Sequence, residues 1–119
     1  MFIDIDHFKS INDRYGHATG DEAIRHITRQ IQSTIRKTDV LCRWGGEEFC
    51  VLLRDTKQEE AFKAGQHLCR AIEAAPLQLA QGPETITVSI GVAERWQQEA
   101  FDPLIQRADM ALYLSLIHI

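Results

Sequence analysis

The stretch Val40-Leu41-Cys42-Arg43-Trp44-Gly45-Gly46-Glu47-Glu48-Phe49-Cys50-Val51-Leu52-Leu53 contains two short apolar runs separated by two glycines and two glutamates. Apolar runs that flank a glycine pair are typical of a β-hairpin, because glycine adopts the backbone angles that a tight turn requires. The sequence therefore predicts a hairpin with strands near 40–44 and 49–53 and an acidic tip at Glu47 and Glu48.

A second acidic stretch opens the chain. Phe2-Ile3-Asp4-Ile5-Asp6 alternates apolar and acidic residues, which predicts a half-buried strand with both carboxylates on one face. If this strand neighbours the hairpin, these aspartates converge with Glu47 and Glu48. Clustered carboxylates repel one another unless a divalent ion is present, and Mg²⁺ prefers such oxygen ligands. Two metals held in this way can activate a hydroxyl and stabilise a leaving pyrophosphate.

Helical periodicity fills the segment between the first strand and the hairpin. A short helix is predicted over 7–15, and two glycines at 16 and 20 indicate a break. A longer helix is predicted from Asp21 to Arg36, because an apolar stripe recurs there at steps of three and four residues. The stripe consists of Ile24, Ile27, Ile31 and Ile35.

The remaining elements complete an α+β pattern. Thr56-Lys57-Gln58-Glu59 resembles a capping box, and the helix that follows is expected to end near Ala75, before Pro76. Strand character returns after Gly82-Pro83 and alternates over 86–92, and apolar residues at 104, 105, 108 and 112 predict a last helix. The order favours helices packed on a central antiparallel sheet, of the ferredoxin-like or polymerase-palm kind.

Composition limits the function classes. With 119 residues, 45% of them hydrophobic, the chain is expected to form a single domain. A net charge of −4 argues against a duplex nucleic-acid partner. Cys42, Cys50 and Cys69 lack zinc-site spacing and are expected to be reduced core thiols of a cytoplasmic protein. No signal peptide or membrane-spanning run is visible, although a longer parent protein can carry a sensory or membrane-anchoring region.

Taken together, the motifs resemble the GGDEF domain family of diguanylate cyclases, in its GGEEF variant. Their order and spacing extend over almost the whole chain. The residues that carry the resemblance are Asp4-Ile5-Asp6-His7-Phe8-Lys9, Asn12-Asp13, Gly16-His17, Gly20-Asp21, Arg43-Trp44-Gly45-Gly46-Glu47-Glu48-Phe49, Ser89-Ile90-Gly91-Val92 and Arg107-Ala108-Asp109-Met110-Ala111-Leu112-Tyr113.

The resemblance implies a metal site and a proton acceptor. Asp4 and Glu47 would bind Mg²⁺ or Mn²⁺ through carboxylates, and Ile5 would bind it through its backbone carbonyl. Glu47 is the usual candidate for accepting the proton of the ribose 3′-hydroxyl, with Glu48 holding metal or shaping the tip. The sequence leaves open which glutamate acts as the base. Asp6 is expected to lie behind the metal ligands without contacting the metal, and no function is assigned to it.

The resemblance also implies contacts to GTP. Asn12 and Asp21 match positions that hydrogen-bond guanine, which offers an acceptor at O6 and donors at N1 and N2; capping of a helix by Asp21 is compatible with this role. His17 matches a position near the substrate; the alternative is that it is a structural histidine of a loop. Lys9 matches a residue that contacts the triphosphate; the alternative is that it is a solvated surface lysine. Gly46 would let the backbone approach the α-phosphate.

Two aromatic residues and a short basic motif complete the expectations. Trp44 and Phe49 are interpreted as core anchors on either side of the tip. Arg36-Lys37-Thr38-Asp39 matches the RxxD inhibitory site of the family, where an arginine fork grips dimers of the product, cyclic di-GMP. Without the resemblance, the same residues would be interpreted as a helix end.

The match fails at both ends. Similar chains begin with an additional helix and an Asp-x-Leu-Thr-Gly-Leu-x-Asn-Arg segment, and they continue after residue 113 with cations that bind the triphosphate. Here Leu114-Ser115-Leu116-Ile117-His118-Ile119 follows instead. We therefore expect a GGDEF domain over 1–113, shortened at both ends, and a tail over 114–119 that is foreign to the family and is interpreted as an artefact of cloning, assembly or frame.

The leading hypothesis is a diguanylate cyclase that joins two GTP molecules into cyclic di-GMP, with one nucleotide held by each domain of a homodimer. One alternative is a binding module that signals with GTP or cyclic di-GMP bound and without catalysis. Another is a fragment that does not fold alone. The spacing of the motifs does not by itself exclude ATP as the substrate.

Overall fold

The computed structural model describes residues 1–95, 106–108 and 110–111. Its helices are α1 (Phe8–Tyr15), α2 (His17–Thr34) and α3 (Gln58–Glu73), and residues 106–108 and 110–111 are also helical. Its strands are β1 (Phe2–Ile5), β2 (Val40–Gly45), β3 (Glu48–Leu52), β4 (Leu77–Leu79), β5 (Gly82–Glu84) and β6 (Val88–Gly91). The predicted last helix lies partly outside the described residues.

Four strands form one sheet in the order β2-β3-β1-β6, and every neighbouring pair is antiparallel. The first strand of the chain therefore lies in the interior of the sheet, beside the hairpin. The prediction of an α+β fold with a central antiparallel sheet and flanking helices is confirmed.

The alternation of side chains divides the sheet into two faces. Ile3 pairs with Phe49 on one side and with Ile90 on the other, so these residues share the face that packs against α2 and α3. Phe2 and Asp4 point to the opposite face. The fully buried side chains of the core include Phe49, Ile3, Ile5, Ile27, Ile31, Leu68, Ile72 and Val51.

The junction between α1 and α2 differs from the sequence prediction. The break consists of Gly16 alone, at φ 91°, and α2 begins at His17 and not at Asp21. Gly20 lies buried inside α2, because the side chain of Asn12 occupies the space that a Cβ at Gly20 would need. A glycine that signals a turn in the sequence thus serves close packing between helices.

The C-terminal end of α2 also differs. The helix ends at Thr34, because Ile35 adopts an extended backbone at ψ 161° and packs its side chain against the core. Arg36 therefore lies outside the helix, in a turn where its backbone N–H donates to the Asp39 carboxylate at 2.9 Å.

Around α3 the predicted capping box is wrong. Lys57 is the N-cap residue, and the Thr56 hydroxyl donates to the Arg54 carbonyl instead of to the helix. The backbone N–H of Gln58 donates to the Glu94 carboxylate at 3.4 Å, so a distant residue performs the capping.

The strands after α3 begin earlier than predicted. Leu77–Leu79 and Gly82–Glu84 pair as a separate two-stranded sheet. The predicted strand over 86–92 is shorter, at Val88–Gly91, and joins β1.

Two predictions of burial also need correction. Cys50 is buried and Cys69 half-buried, but Cys42 is exposed. Phe49 is a core residue as predicted, whereas Trp44 is 48% exposed and contacts the ring of Phe2 edge-on at a centroid distance of 5.8 Å. In the part of the chain that the structure describes, no helix is long and apolar enough to cross a membrane.

Candidate active site

The pairing of β1 with β3 brings the predicted acidic residues together. Asp4 lies directly opposite Glu48, and the Ile5 N–H donates to the Glu47 carbonyl at 3.2 Å. In an antiparallel ladder, the pairs next to a hydrogen-bonded pair have their Cα atoms only ~4.5 Å apart and their side chains closer. Asp4 and Glu48 form such a close pair, so two carboxylates emerge side by side next to the hairpin tip.

The close carboxylates affect the pKa of Asp4. Burial, followed by the negative charges of Glu47, Glu48 and Asp6, raises the pKa of Asp4 to about 7. Each of these causes disfavours the ionised carboxylate. A cation placed among these groups would relieve all of the charge repulsion at once.

Asp6 lies on the same strand face but has different partners. Its two carboxylate oxygens accept hydrogen bonds from the Thr87 hydroxyl at 2.7 Å and the Ser89 hydroxyl at 2.6 Å. Its backbone N–H also donates to the Thr87 carbonyl at 2.9 Å. Asp6 is thereby engaged with the segment that leads into β6, which leaves Asp4 as the β1 carboxylate that faces the tip.

The hairpin tip is held by a residue to which sequence reasoning assigned no role. Arg43 donates from Nε at 2.9 Å and from Nη2 at 2.7 Å to the carbonyl of Gly46. Gly46 adopts φ 28°, and no neighbouring atom lies within 4 Å of the position of a Cβ there. The Gly46 carbonyl is therefore held by Arg43, while the space beside the Gly46 Cα is free of neighbouring atoms among the described residues. In the sequence, the only signal of this contact is the three-residue spacing from Arg43 to Gly46 across a tight turn.

The donor set suits a magnesium ion that is shared with a substrate. In an antiparallel ladder, the N–H and C=O of one residue face the same neighbouring strand, so the Ile5 carbonyl also faces the tip. Within residues 1–95, 106–108 and 110–111, no group of three His, Cys, Asp or Glu side chains could by itself hold a metal ion. Mg²⁺ is usually bound by one or two carboxylates, with water and phosphate oxygens as the other ligands. Asp4, Glu47 and the Ile5 carbonyl fit that pattern.

A second group of predicted residues lies where α1 packs against α2. The Asn12 side chain lies against Gly20, because a Cβ at Gly20 would stand 1.8 Å from Asn12 Oδ1. Asp21 is exposed and follows, in the chain, the glycine that the Asn12 side chain contacts. His17 is exposed on the first turn of α2, and Lys9 is exposed on the first turn of α1.

Arg36 and Asp39 form a closed ion pair. Arg36 donates from Nη2 to Asp39 Oδ1 at 3.0 Å and from Nε to Oδ2 at 3.3 Å. Nη2 also lies 3.0 Å from the Arg54 carbonyl and 2.8 Å from the Thr56 hydroxyl. Burial pushes the pKa of Asp39 upward, but the hydrogen bonds from the Arg36 side chain and backbone outweigh it and hold that pKa below its usual value. The pair borders a cavity of about 230 Å³.

Comparison with known proteins places this arrangement in one family. The family model described as "Diguanylate cyclase, GGDEF domain" matches residues 1–116. Diguanylate cyclase DgcZ of Escherichia coli is 37% identical over 113 residues, which are 95% of this chain and 38% of that protein. Probable diguanylate cyclase DgcC of Escherichia coli is 44% identical over 115 residues, 95% of this chain and 30% of that protein. The chain thus spans about a third of the length of these relatives.

Solved structures agree with the family match. Diguanylate cyclase SiaD of Pseudomonas aeruginosa, crystallised with its activator SiaC, superimposes with a TM-score of 0.93 at 32% identity, over 98% of this chain and 45% of that one. The GGDEF domain of DgcB from Caulobacter crescentus, in complex with c-di-GMP, gives 0.90 at 33% identity, over 98% and 70%. The active GGEEF domain of a Vibrio cholerae diguanylate cyclase gives 0.88 at 32% identity, over 98% and 74%.

The raised pKa of Asp4 predicts a pH-dependent effect of Asp4→Asn on stability. Because the folded-state pKa lies above the value of 3.8 for a free aspartate, the folded chain holds this proton more tightly than the unfolded chain, and stability falls as pH rises from about 4 to about 7. The amide introduced by Asp4→Asn carries no charge, so this variant should stabilise the metal-free chain near pH 8, by about 1 kcal/mol once solvent screening is considered. Near pH 4 the difference should vanish.

Urea unfolding of both chains across this pH range measures the effect. Asp13→Asn provides a matched control, because it removes an exposed carboxylate from α1, outside the acidic cluster. An Asp4→Asn variant that is equally or less stable than the wild type near pH 8 would contradict the described electrostatics.

Proposed function

The chain belongs to the GGDEF domain family of diguanylate cyclases, and on that premise we propose that it condenses GTP into cyclic di-GMP with release of pyrophosphate. One observation carries the proposal. Asp4 on β1 and the tip residues Glu47 and Glu48 converge as carboxylates whose mutual repulsion calls for a cation. Phosphoryl and nucleotidyl transfer need divalent metal at such a place, since the reaction develops negative charge on phosphate oxygens.

The metal would be Mg²⁺ or Mn²⁺, held by the Asp4 and Glu47 carboxylates and the Ile5 carbonyl. When bound, the ion supplies positive charge that offsets the phosphates and lowers the pKa of a coordinated hydroxyl. Glu47 is then placed to accept the proton of the ribose 3′-hydroxyl, and Glu48 maintains the negative potential that retains the metal. Arg43 binds the Gly46 carbonyl. The glycine backbone anchored in this way would face the α-phosphate.

Guanine would be recognised between α1 and α2. An Asp21 carboxylate that accepts from N1 and N2 and an Asn12 amide N–H that donates to O6 would match guanine. In the same pose, adenine would turn its N1 lone pair to the carboxylate and its N6 donor to the amide N–H. Lys9 and His17 are exposed on the first turns of α1 and α2. Lys9 would contact the triphosphate, and His17 would lie near the substrate. GTP, rather than ATP, is therefore the proposed substrate.

Cyclisation needs two nucleotides, and each domain offers one set of base-reading residues. We infer that a homodimer brings two domains together in antiparallel fashion, so that each 3′-hydroxyl lies beside the α-phosphate of the other GTP. The relatives are longer than this chain, and we infer that a longer protein carries a regulatory region. SiaD was crystallised in complex with its activator. Catalysis would take place in the cytoplasm, where GTP is available.

The product would also act at a second position as an inhibitor. Arg36 and Asp39 match the RxxD pattern, and Asp39 holds the Arg36 guanidinium in a fixed orientation. Arginine in such a fork recognises phosphate and the acceptor edge of guanine. Among the described residues, the hydrogen bonds of Arg36 use Nε and Nη2, and Nη1 is the group proposed to donate to the ligand.

The active-site assignment predicts a metal-dependent effect of GTP. In the presence of Mg²⁺, GTP at about one hundred times its Kd should stabilise the chain by about 2.7 kcal/mol. Asp4→Asn and Glu47→Gln should abolish this stabilisation, together with any formation of cyclic di-GMP measured by chromatography. Thermal unfolding with and without Mg²⁺ measures the first effect.

Glu59→Gln provides the matched control, because Glu59 is exposed on the first turn of α3, and it should respond to Mg²⁺ and GTP as the wild type does. Stabilisation that survives in both active-site variants would overturn the assignment. Binding without product formation in a dimeric sample would favour a signalling module over an enzyme.

The packing of Asn12 on Gly20 predicts that Gly20→Ala weakens GTP binding while changing the stability of the chain little. Gly20→Ala places a methyl group where the Asn12 amide lies, so the amide must rotate away while the helix gains propensity. Stability should change by less than about 1 kcal/mol, whereas GTP affinity should fall about tenfold through loss of one hydrogen bond to a base. Isothermal titration in Mg²⁺ and urea unfolding measure the two quantities.

The control is Gly65→Ala on α3, where a Cβ would meet Ile90 at an ordinary 3.5 Å. This variant should bind GTP as the wild type does. Equal affinities for GTP in the two glycine variants would argue against a role of Asn12 in reading guanine.

The inhibitory site predicts a product effect that is independent of the active site. Arg36→Lys keeps the positive charge but cannot form a fork, so cyclic di-GMP binding should weaken by about tenfold or more. Stabilisation by Mg²⁺ and GTP should stay intact in this variant. Titration of cyclic di-GMP against the wild type, Arg36→Lys and the exposed-site control Arg25→Lys tests the prediction, and unchanged binding in Arg36→Lys would refute it.

A further inference from the structure

Cys42 and Cys50 lie directly opposite each other on β2 and β3. Register partners in an antiparallel pair present their side chains on the same face of the sheet. Cys50 is also the partner of Phe2 on β1, so both thiols lie on the face opposite to the core of Ile3 and Phe49. The sequence predicts reduced core thiols at both positions; Cys50 is buried as predicted, whereas Cys42 is exposed.

The backbone bonds define the geometry of this pair. Val51 donates to the Met1 carbonyl at 2.8 Å, so the odd-numbered residues of β3 direct their backbone groups toward β1. Cys50 therefore directs its own groups toward β2 and forms a hydrogen-bonded pair with Cys42. Such a pair has a Cα separation of ~5.5 Å. Disulfides require a Cα separation of roughly 4.4–6.8 Å, so the two residues are within bonding range.

The Cβ atoms are less well placed for a relaxed bond. Opposite residues have Cβ atoms roughly 4.5–5.5 Å apart, with hydrogen-bonded pairs at the longer end. A disulfide prefers about 3.5–4.5 Å, so its closure must draw β2 and β3 together locally. The exposed edge position of β2 and the bulge between Arg43 and Gly45 provide room for this movement. A bond formed under such strain is readily reduced again.

The two thiols differ in access. Cys42 is exposed, and its thiol lies 3.6 Å from the Arg43 carbonyl, its own neighbour in the chain. Cys50 is 5% exposed, and burial raises the pKa of its thiol. A reagent from solvent therefore reaches Cys42 first. Cys69 lies apart on α3, with its thiol 3.7 Å from the Val88 carbonyl.

We propose that Cys42 and Cys50 form a redox-active dithiol site that takes a small disulfide, such as oxidised glutathione, as its oxidant. The Cys42 thiolate attacks one sulfur of the oxidant, which releases one glutathione thiol and leaves a mixed disulfide on Cys42. The Cys50 thiolate then attacks the Cys42 sulfur and releases the second glutathione thiol. Two protein thiols are oxidised to one disulfide, and one disulfide is reduced to two thiols.

The site is placed in the hairpin that carries the acidic tip. Cys50 follows Glu48 by two residues on β3. A disulfide at Cys50 would therefore draw the backbone of the strand that carries Glu48 toward β2. The chemistry of the dithiol depends only on the register of β2 and β3 and not on metal or GTP binding.

The experiment treats the whole folded chain with oxidised glutathione and follows intact mass and cysteine-containing peptides. The wild type should lose two hydrogen atoms, with Cys42 and Cys50 joined in one peptide pair. Cys50→Ser should retain one glutathione on Cys42, because the resolving thiol is absent. Cys42→Ser should form no internal disulfide, and Cys69→Ser should behave as the wild type does.

Reduced glutathione in excess should reopen the bond in the wild type. A wild-type chain that retains glutathione on Cys42 beside a free Cys50 would overturn the proposal. A disulfide that involves Cys69, or a folded chain that does not react, would overturn it as well. Circular dichroism of each variant before oxidation establishes that the comparison is made between folded chains.

Discussion

The close pairing of Asp4 with Glu48 across β1 and β3 is the constraint on which the rest of the structure depends. Two carboxylates at a close antiparallel pair repel each other, and burial raises the cost of ionising Asp4. The register cannot relieve this repulsion by slipping. A shift of one residue would turn Ile3 and Ile5 to the face on which Asp4 now lies and bring Asp4 into the core beneath α2 and α3. Apolar burial on one face thus fixes a charge cluster on the other.

Neighbouring contacts prevent the cluster from dispersing. Asp6 is bonded to the hydroxyls of Thr87 and Ser89, which spreads its charge over two donors and fixes the end of β1 against β6. Arg43 fixes the Gly46 carbonyl on the other side of the tip. The carboxylates of the proposed metal site are therefore supported by paired strands and by an anchored turn. Such support is what a site needs to hold a metal in a fixed position.

Features of the fold with a strong periodic signal could be predicted from the sequence. The alternation in β1 and the glycine pair of the hairpin predict these three strands. The convergence of Asp4 with Glu47 and Glu48 follows only if β1 lies beside the hairpin, which the structure shows. The prediction that Gly20 breaks the helix is wrong. The sequence does not distinguish a glycine that ends a helix from one that lets a neighbouring side chain pack closely against it. The position of Thr56 predicts a helix cap, yet its hydroxyl donates to the Arg54 carbonyl instead. The exposure of Cys42 and Trp44 depends on β2 being an edge strand, which is a property of the assembled sheet.

The acidic cluster and the Arg36–Asp39 pair differ in how their charges are arranged for the ligands proposed for them. The acidic cluster keeps like charges close together, so a cation gains affinity from repulsion that it removes. At Arg36, the opposite charges are already paired, and the Asp39 side chain is 3% exposed while that of Arg36 is 57% exposed. Asp39 therefore acts as a fixed support that orients the guanidinium, and the proposed ligand at Nη1 would not have to displace it. Preorganisation of this kind reduces the entropy lost on binding, because the long arginine side chain is ordered before the ligand arrives.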